Sequence, residues 1–201
     1  MASARAARSR RASVCLRRMN TFALRVAQPT DAPALAELAN QYTYQQLSET
    51  ERQNGFLTGS FSAPALHAML ASVPGQVAHH GPELAGFVVN SKLAPSQYGP
   101  LVQEIIRRLP ALVYQRRALA TYRWFFYGPV LVRKAYRGQG LLRQLFEASR
   151  RTLAGHFDLG IAFIATENEA SLQVHQSLGL TVVGEVSVEG RAYAILVFPV
   201  L

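Results

Sequence analysis

From residue 21 onward, apolar runs of alternating or β-branched character are separated by stretches whose apolar residues recur at helical spacing. TFALRVA (21–27) alternates at Phe22, Leu24 and Val26 and predicts a first strand. Thr30 is expected to cap a helix over DAPALAELANQYTYQQL (31–47), with Asp31 and Pro33 in its first turn. SETERQNG (48–55) reads as a polar linker, and Ser62 opens a second helix over APALHAMLAS. GQVAHH and ELAGFVVNSK predict a hairpin around Gly81-Pro82. Residues 93–123 break the rhythm: after Pro95, Gly99 and Pro100, the stretch PLVQEIIRRLPALVYQRR is helical in pattern. Pro110 inside it predicts a kink or two short helices. FFYGPVLV (125–132) predicts a strand. Apolar positions 141, 142, 145, 146 and 153 share one helical face, so a helix starts at about Leu141. GIAFIATE (160–167) reads as a strand covered on both faces. NEASLQVHQSLGL is a short helix ending at Gly179, and TVVGEVSVEG and RAYAILVFPV are two strands meeting at Glu189-Gly190. The order predicts a mixed α/β sheet with helices on its faces in a single domain over 19–201, carrying a helical insert at 93–123.

Composition narrows the class without naming it. The chain has 201 residues, 49% hydrophobic and 16% charged, as expected of one globular domain. Its apolar runs are too short to span a bilayer, which argues against a membrane partner. A single cysteine excludes an internal disulfide framework and a cysteine-based zinc cluster. The net charge of +9 is concentrated: the six arginines of residues 1–18 face no acidic residue, which leaves +3 for the remainder. That basic tail is expected to be disordered. It is compatible with an organelle transit peptide, a basic arm, or translation that truly begins at Met19. The rest of the chain is expected in the cytoplasm unless the tail acts as a targeting segment.

The candidate chemistry lies in YRGQGLLRQLFEASR (136–150). Strand, glycine turn and helix together leave unpaired backbone N–H groups at a helix N-terminus, where the dipole favours an anion. Glycine permits close backbone approach, and Arg137 adds positive charge. A Walker loop would need Lys-Ser/Thr after its second glycine, but Leu141 follows Gly140. A dinucleotide fingerprint would need a third glycine. Thirty residues on, a second strand ends in TEN (166–168), followed by a short helix and SLGLTVVGE (177–185).

With these segments in this order, residues 22–200 resemble the GCN5-related N-acetyltransferase (GNAT) family, whose loop reads Arg/Gln-x-x-Gly-x-Gly/Ala. Arg137, Gly138, Gln139 and Gly140 match, and Leu142 stands where the family has Gly or Ala. The resemblance implies a mostly antiparallel sheet with splayed central strands and acetyl-CoA as co-substrate. It further implies direct transfer of the acetyl group to a primary amine of a small molecule or peptide, with no metal and no covalent enzyme intermediate. The pyrophosphate would lie on the N–H groups of Arg137, Gly138, Gln139, Gly140, Leu141 and Leu142. The pantetheine arm would pair with the strand edge at Leu131 and Val132, opened by a bulge at Gly128-Pro129, and would meet Asn168 and Ser171 on its other side. Asn168 and Ser171 read equally well as helix N-caps. Val132 N–H is the implied oxyanion donor. His175 stands where the family carries a tyrosine acid, and Glu167 is the candidate base, directly or through water.

Two rival functions remain in view: a non-enzymatic acyl-CoA-binding module on the same fold, and an RNA-directed protein. The second rests on the tail and on Arg107, Arg108, Arg116, Arg117 and Arg123, but no aromatic-flanked basic motif accompanies them, which disfavours nucleic acid. The insert is expected to wall the acceptor side, and its arginines suggest an acceptor bearing a carboxylate or phosphate. The resemblance implies that the region of Tyr42 and Tyr44 faces the acceptor, and the same residues read equally as an exposed helix end. His79 and His80, adjacent on a strand, point to opposite faces and make a poor metal pair. A homodimer is compatible with the sequence, which leaves the oligomeric state open.

Overall fold

A computed structural model describes residues 21–200; the expectations for the 1–18 tail fall outside these described residues. The elements are β1 (Ala23–Val26), α1 (Ala32–Asn40), α2 (Glu49–Arg52), α3 (Ala63–Ser72), β2 (Val73–His80), β3 (Glu83–Ser91) and α4 (Pro100–Arg108). They continue with β4 (Val113–Tyr114), β5 (Arg117–Ala118), β6 (Trp124–Val132), α5 (Leu141–Leu153), β7 (Leu159–Ala165), α6 (Glu169–Ser177), β8 (Thr181–Val188) and β9 (Arg191–Pro199). Seven strands form one sheet in the order β1-β2-β3-β6-β7-β9-β8. Every neighbouring pair is antiparallel except β6 and β7, which run parallel. The expected mixed, mostly antiparallel α/β sheet is what the chain forms.

Apolar stripes decide which faces the helices cover. Leu35 and Leu38 of α1 and Leu66 and Leu70 of α3 pack on Val77, Phe87, Val89 and Leu131. On the opposite face α5 buries Leu141, Leu145, Phe146 and Leu153 beside Val88, Phe125 and Tyr127, with Leu172 of α6 against the same cluster. α4 covers the far half, where Ile105 and Leu109 pack with Val186, Ile195 and Val197.

Four local expectations are corrected. Thr30 does not cap α1: Pro29–Asp31 form a 3-10 turn and Asp31 is the N-cap residue. The helix also ends at Asn40, well short of Leu47. There the Asn40 amide exchanges two hydrogen bonds with the Phe61 backbone, 2.9 Å each, turning the chain away. The supposed linker holds α2, nucleated by a capping box in which the Glu51 carboxylate accepts from Ser48 N–H (3.2 Å) and Ser48 Oγ from Glu51 N–H (3.4 Å). In the insert, a 3-10 turn at Pro95–Gln97 and then α4 form before Pro110. The stretch after it is a two-stranded hairpin whose turn residues Gln115 and Arg116 take positive φ, and not a second helix.

The feature that positions the site is a divergence of the two parallel strands. β6 and β7 pair only from Trp124–Phe126 to Leu159–Ile161. Beyond that point β6 bulges: Asn90 faces Tyr127 and Val88 faces Val130, so Gly128-Pro129 absorb an extra residue, with Gly128 at φ +135°. Proline lacks the N–H a central strand would need, and the bulge bends β6 away from β7.

At the closed end of this wedge Gly160 lies under the Phe198 ring, where an added Cβ would overlap ring atoms. Gly160→Ala is therefore expected to destabilise the fold by about 1–3 kcal/mol. Thermal melting checks this, with a drop of several degrees expected for a domain of this size.

Candidate active site

The splay opens into two joined cavities. The first, about 420 Å³, lies between the loop before α5, the face of α6 and the end of β6. The second, about 320 Å³, lies between the diverging strands, residues 56–61 and the start of α4. Phe56, Leu57, Val130, Ser171 and His175 line both. These five residues form a shared wall between the two cavities, a waist at which His175 stands.

The first cavity begins at the glycine loop. Gly138 and Gly140 take φ +73° and +76°, left-handed values that an L side chain adopts only at a cost. Gly140 is the N-cap of α5 and no side chain caps the helix, so its first N–H groups are available to a ligand. Gly138, Gly140, Leu141 and Leu142 line the cavity. Arg137 also lines it, but its guanidinium is committed to protein: Nε donates to Val132 O (3.0 Å) and Nη1 to Asn54 O (2.6 Å). It ties the loop to the end of β6 and to the 54–57 segment. Gln139 turns outward, bonding Ala135 O (3.0 Å), and lines neither cavity. The cation that stands exposed at the rim is Arg143, in the first turn of α5, with one contact to Ser177 O (3.3 Å).

Along β6 the free edge is displaced by one residue from the expected one. Arg133 N–H bonds Ala85 O across the β3–β6 pair (2.9 Å). Antiparallel alternation then turns the Leu131 N–H toward β3 and leaves Val130 and Val132 facing the cleft. Val132 O is the acceptor for Arg137, as this parity requires. Leu131 lines the first cavity, but its backbone belongs to the sheet.

α6 delivers the polar groups. Asn168 is buried; its amide donates to Phe56 O (2.7 Å) and its Oδ1 accepts from Ser171 N–H (3.4 Å). It caps α6 and clamps the 55–57 segment in one act. His175, one turn after Ser171, is buried with its ring edge-on to Tyr127 at 6.0 Å. Its Nδ1 lies 2.7 Å from Ser171 O, and since a carbonyl only accepts, Nδ1 carries the proton. Burial lowers the pKa of His175, so the ring is held neutral and Nε2 keeps its lone pair. Glu167 lies elsewhere: exposed, paired with Arg191 (3.0 Å) and lining neither cavity. As placed, it is not positioned to act as the base.

Tyr42 and Tyr44 line neither of the two cavities. The Tyr42 hydroxyl accepts from Lys134 N–H (3.0 Å), and the Tyr44 ring lies against the guanidinium groups of Arg52 and Arg191. The insert does wall the second cavity, through Tyr98, Gly99, Leu101 and Val102, but none of its arginines reaches it. Arg107 and Arg108 both pair with Glu104 at 2.7 Å, and Arg123 pairs with Asp158 at 2.6 Å. Among the described residues, the insert arginines form no anion-binding subsite in this cavity. His80 contacts the Tyr136 hydroxyl (3.3 Å), and among the described residues no cluster of His, Cys, Asp or Glu could hold a metal ion.

Sequence reasoning missed the 54–57 segment, Val130 and Arg143. Segment 54–57 is fixed to the end of α1 by Tyr44 N–H to Leu57 O and Leu57 N–H to Tyr42 O, each 2.8 Å. Its one sequence signal is the capping box just before it.

The fold has counterparts among solved structures. The ribosomal-protein-S18-alanine N-acetyltransferase of Escherichia coli superposes with a TM-score of 0.59 at 13% identity, over 90% of this chain and 94% of that one. Arabidopsis thaliana NAA60 in complex with acetyl-CoA gives 0.56 at 13% identity, over 89% and 99%. The GNAT family N-acetyltransferase YhbS of Escherichia coli in complex with CoA gives 0.55 at 18%, over 90% and 82%. The fold is that of the GNAT acetyltransferases. No protein-family model matches the sequence, and no curated protein matches it in sequence. At these identities the likeness establishes the GNAT fold, and the chemistry has to be argued from the residues of the cleft.

Proposed function

We propose that the protein is an acetyltransferase that moves an acetyl group directly from acetyl-CoA to a primary amine. The observation that carries this reading is the wall that the two cavities share across the splay. An anion-binding helix N-terminus opens one end, an acceptor-sized space closes the other, and a neutral histidine stands between them.

The residues divide the work as follows. The N–H groups at Gly140–Leu142 receive the pyrophosphate, and Arg143 at the rim adds charge. The β6 edge at Val130 and Val132 offers N–H and C=O groups to the peptide-like pantetheine, in the manner of an added strand. Val130, the edge residue that lines both cavities, is better placed than Val132 to donate to the oxygen of the tetrahedral intermediate. The amine nitrogen attacks the thioester carbonyl, the N–C bond forms and the C–S bond breaks. With Nδ1 committed to Ser171 O, His175 Nε2 accepts the proton lost by the amine. The resulting imidazolium can then return it to the departing thiolate. His175 therefore acts first as base, and as the acid only once it has been charged by the amine.

Acetyl-CoA binding by calorimetry, followed by amine-dependent release of the CoA thiol, tests the reading. Binding without turnover on any amine would identify a non-enzymatic acyl-CoA-binding module instead. The RNA-directed reading finds no support among the insert arginines that pair with Glu104 and Asp158.

A further inference from the structure

The chemistry of the second cavity specifies its occupant. Its wall is made of Phe61, Met69, Leu101, Val102, Phe126 and Phe163, together with backbone of the two diverging strands. No Asp, Glu, Lys or Arg is among the described residues that line it. The polar groups that do line it are largely consumed. Tyr98 OH donates to Ser91 Oγ (3.0 Å) and accepts from Leu93 N–H (2.9 Å), and the Asn168 amide is held by Phe56 O and Ser171 N–H. The Tyr127 hydroxyl is buried without a partner, its ring packed among Phe146 and Phe198 in the core beneath α5. What remains among the lining residues is the unpartnered Tyr127 hydroxyl, Thr58, Ser171 and His175, the last two at the waist.

We infer that the acceptor is a small primary amine on an apolar body, an arylalkyl- or alkylamine with no second charge, bound with its nitrogen at His175. This rests on the acetyl-transfer reading and names the substrate class of that same site. A polyamine would bring a second ammonium into a wall that offers no carboxylate. An acidic amino acid would bring a carboxylate to a wall with no cation. Either charge would be desolvated without compensation. An apolar ring or chain instead gains from every wall it touches. At about 320 Å³ the cavity stands at the small end of ligand sites, which suits a body of one ring. The nitrogen is the acceptor's only polar group, and among the residues that line both cavities its titratable partner is His175, whose lone pair takes the proton that acylation must release.

The test uses the full chain in two stages. Acetyl-CoA affinity is measured first with no amine present; absence of binding overturns the acetyl-transfer reading and this inference with it. With binding established, thiol release is followed for 2-phenylethylamine and hexylamine against spermidine and glutamate. The apolar amines are expected to exceed the charged ones in kcat/KM by about 10–100-fold, the size of one unpaired buried polar group. Val102→Glu, on the first turn of α4 and away from the first cavity, should leave acetyl-CoA affinity unchanged. It should depress turnover of 2-phenylethylamine and raise that of a diamine. Equal or better turnover of spermidine or glutamate by the unaltered protein overturns the inference while leaving acetyl transfer standing. So does faster turnover with hexanoyl-CoA than with acetyl-CoA, which would assign the cavity to the acyl chain.

Discussion

Gly140→Glu is expected to abolish acetyl-CoA binding at micromolar concentrations while leaving the protein folded. Two effects act together at this position. A side chain at φ +76° costs about 1–2 kcal/mol, because the left-handed region brings Cβ against the following carbonyl. The new carboxylate would then stand at the helix N-terminus where the pyrophosphate has to lie. Like charges at about 4 Å near a protein surface repel by up to ~4 kcal/mol, and part of that is relieved as the side chain swings into solvent. A loss of about 100-fold or more in affinity is the expected sum. The fold survives because an added Cβ at Gly140 meets no heavy atom within 4 Å, so the strain is local. Gly140→Ala separates the two effects: it carries the strain without the charge and should lose only about tenfold. Calorimetric titration of both variants decides the matter. Unchanged affinity in Gly140→Glu would remove the loop from the ligand site.

How much of this was legible in the sequence depends on the range of the interaction that decides each element. The strand–turn–helix around Gly138 and Gly140 is specified within a dozen residues, by glycine, by the apolar stripe of α5 and by the β-branched run before it, and it forms as read. The bulge at Gly128-Pro129 was legible for the same reason, since proline in an otherwise central strand has few places to go. Which side of β6 faces the cleft was not. That parity is set by the pairing with β3, and one step in register exchanges Leu131 for Val130 and Val132. The end of α1 was misread because the residue that stops it, Asn40, finds its partner in Phe61, beyond the intervening α2. Charge was the least legible property. Arg107 and Arg108 suggested an anionic acceptor, yet Glu104 on the same helix takes both. Sequence shows that a charge is present and says little about whether it is already answered.

The same distinction governs His175, which the family resemblance cast as an acid and whose surroundings favour a base. His175→Gln is expected to lower kcat by about 100-fold, the lower end of what proton transfer by a side chain supplies, with acetyl-CoA affinity nearly unchanged. The thiolate is a competent leaving group near neutral pH, so the loss comes from the amine's proton. In the unaltered protein kcat/KM should fall on the acid side as His175 becomes charged, with a midpoint below the ordinary histidine value of ~6.5, because burial disfavours the imidazolium. In His175→Gln the limb should lose this one-proton component and keep only the slope set by protonation of the amine itself, a change that loss of packing alone would not produce. Stability carries the matching sign. The native state keeps His175 neutral and binds fewer protons than the unfolded chain between the depressed value and ~6.5. Stability should therefore rise with pH through that window and be lost as pH falls through it. Melting temperatures of the two proteins across the window should converge at its acid end if His175 is the group that titrates. An unaltered acid limb in His175→Gln, with chemistry shown to limit the rate, would leave His175 as a packing residue and move the base elsewhere.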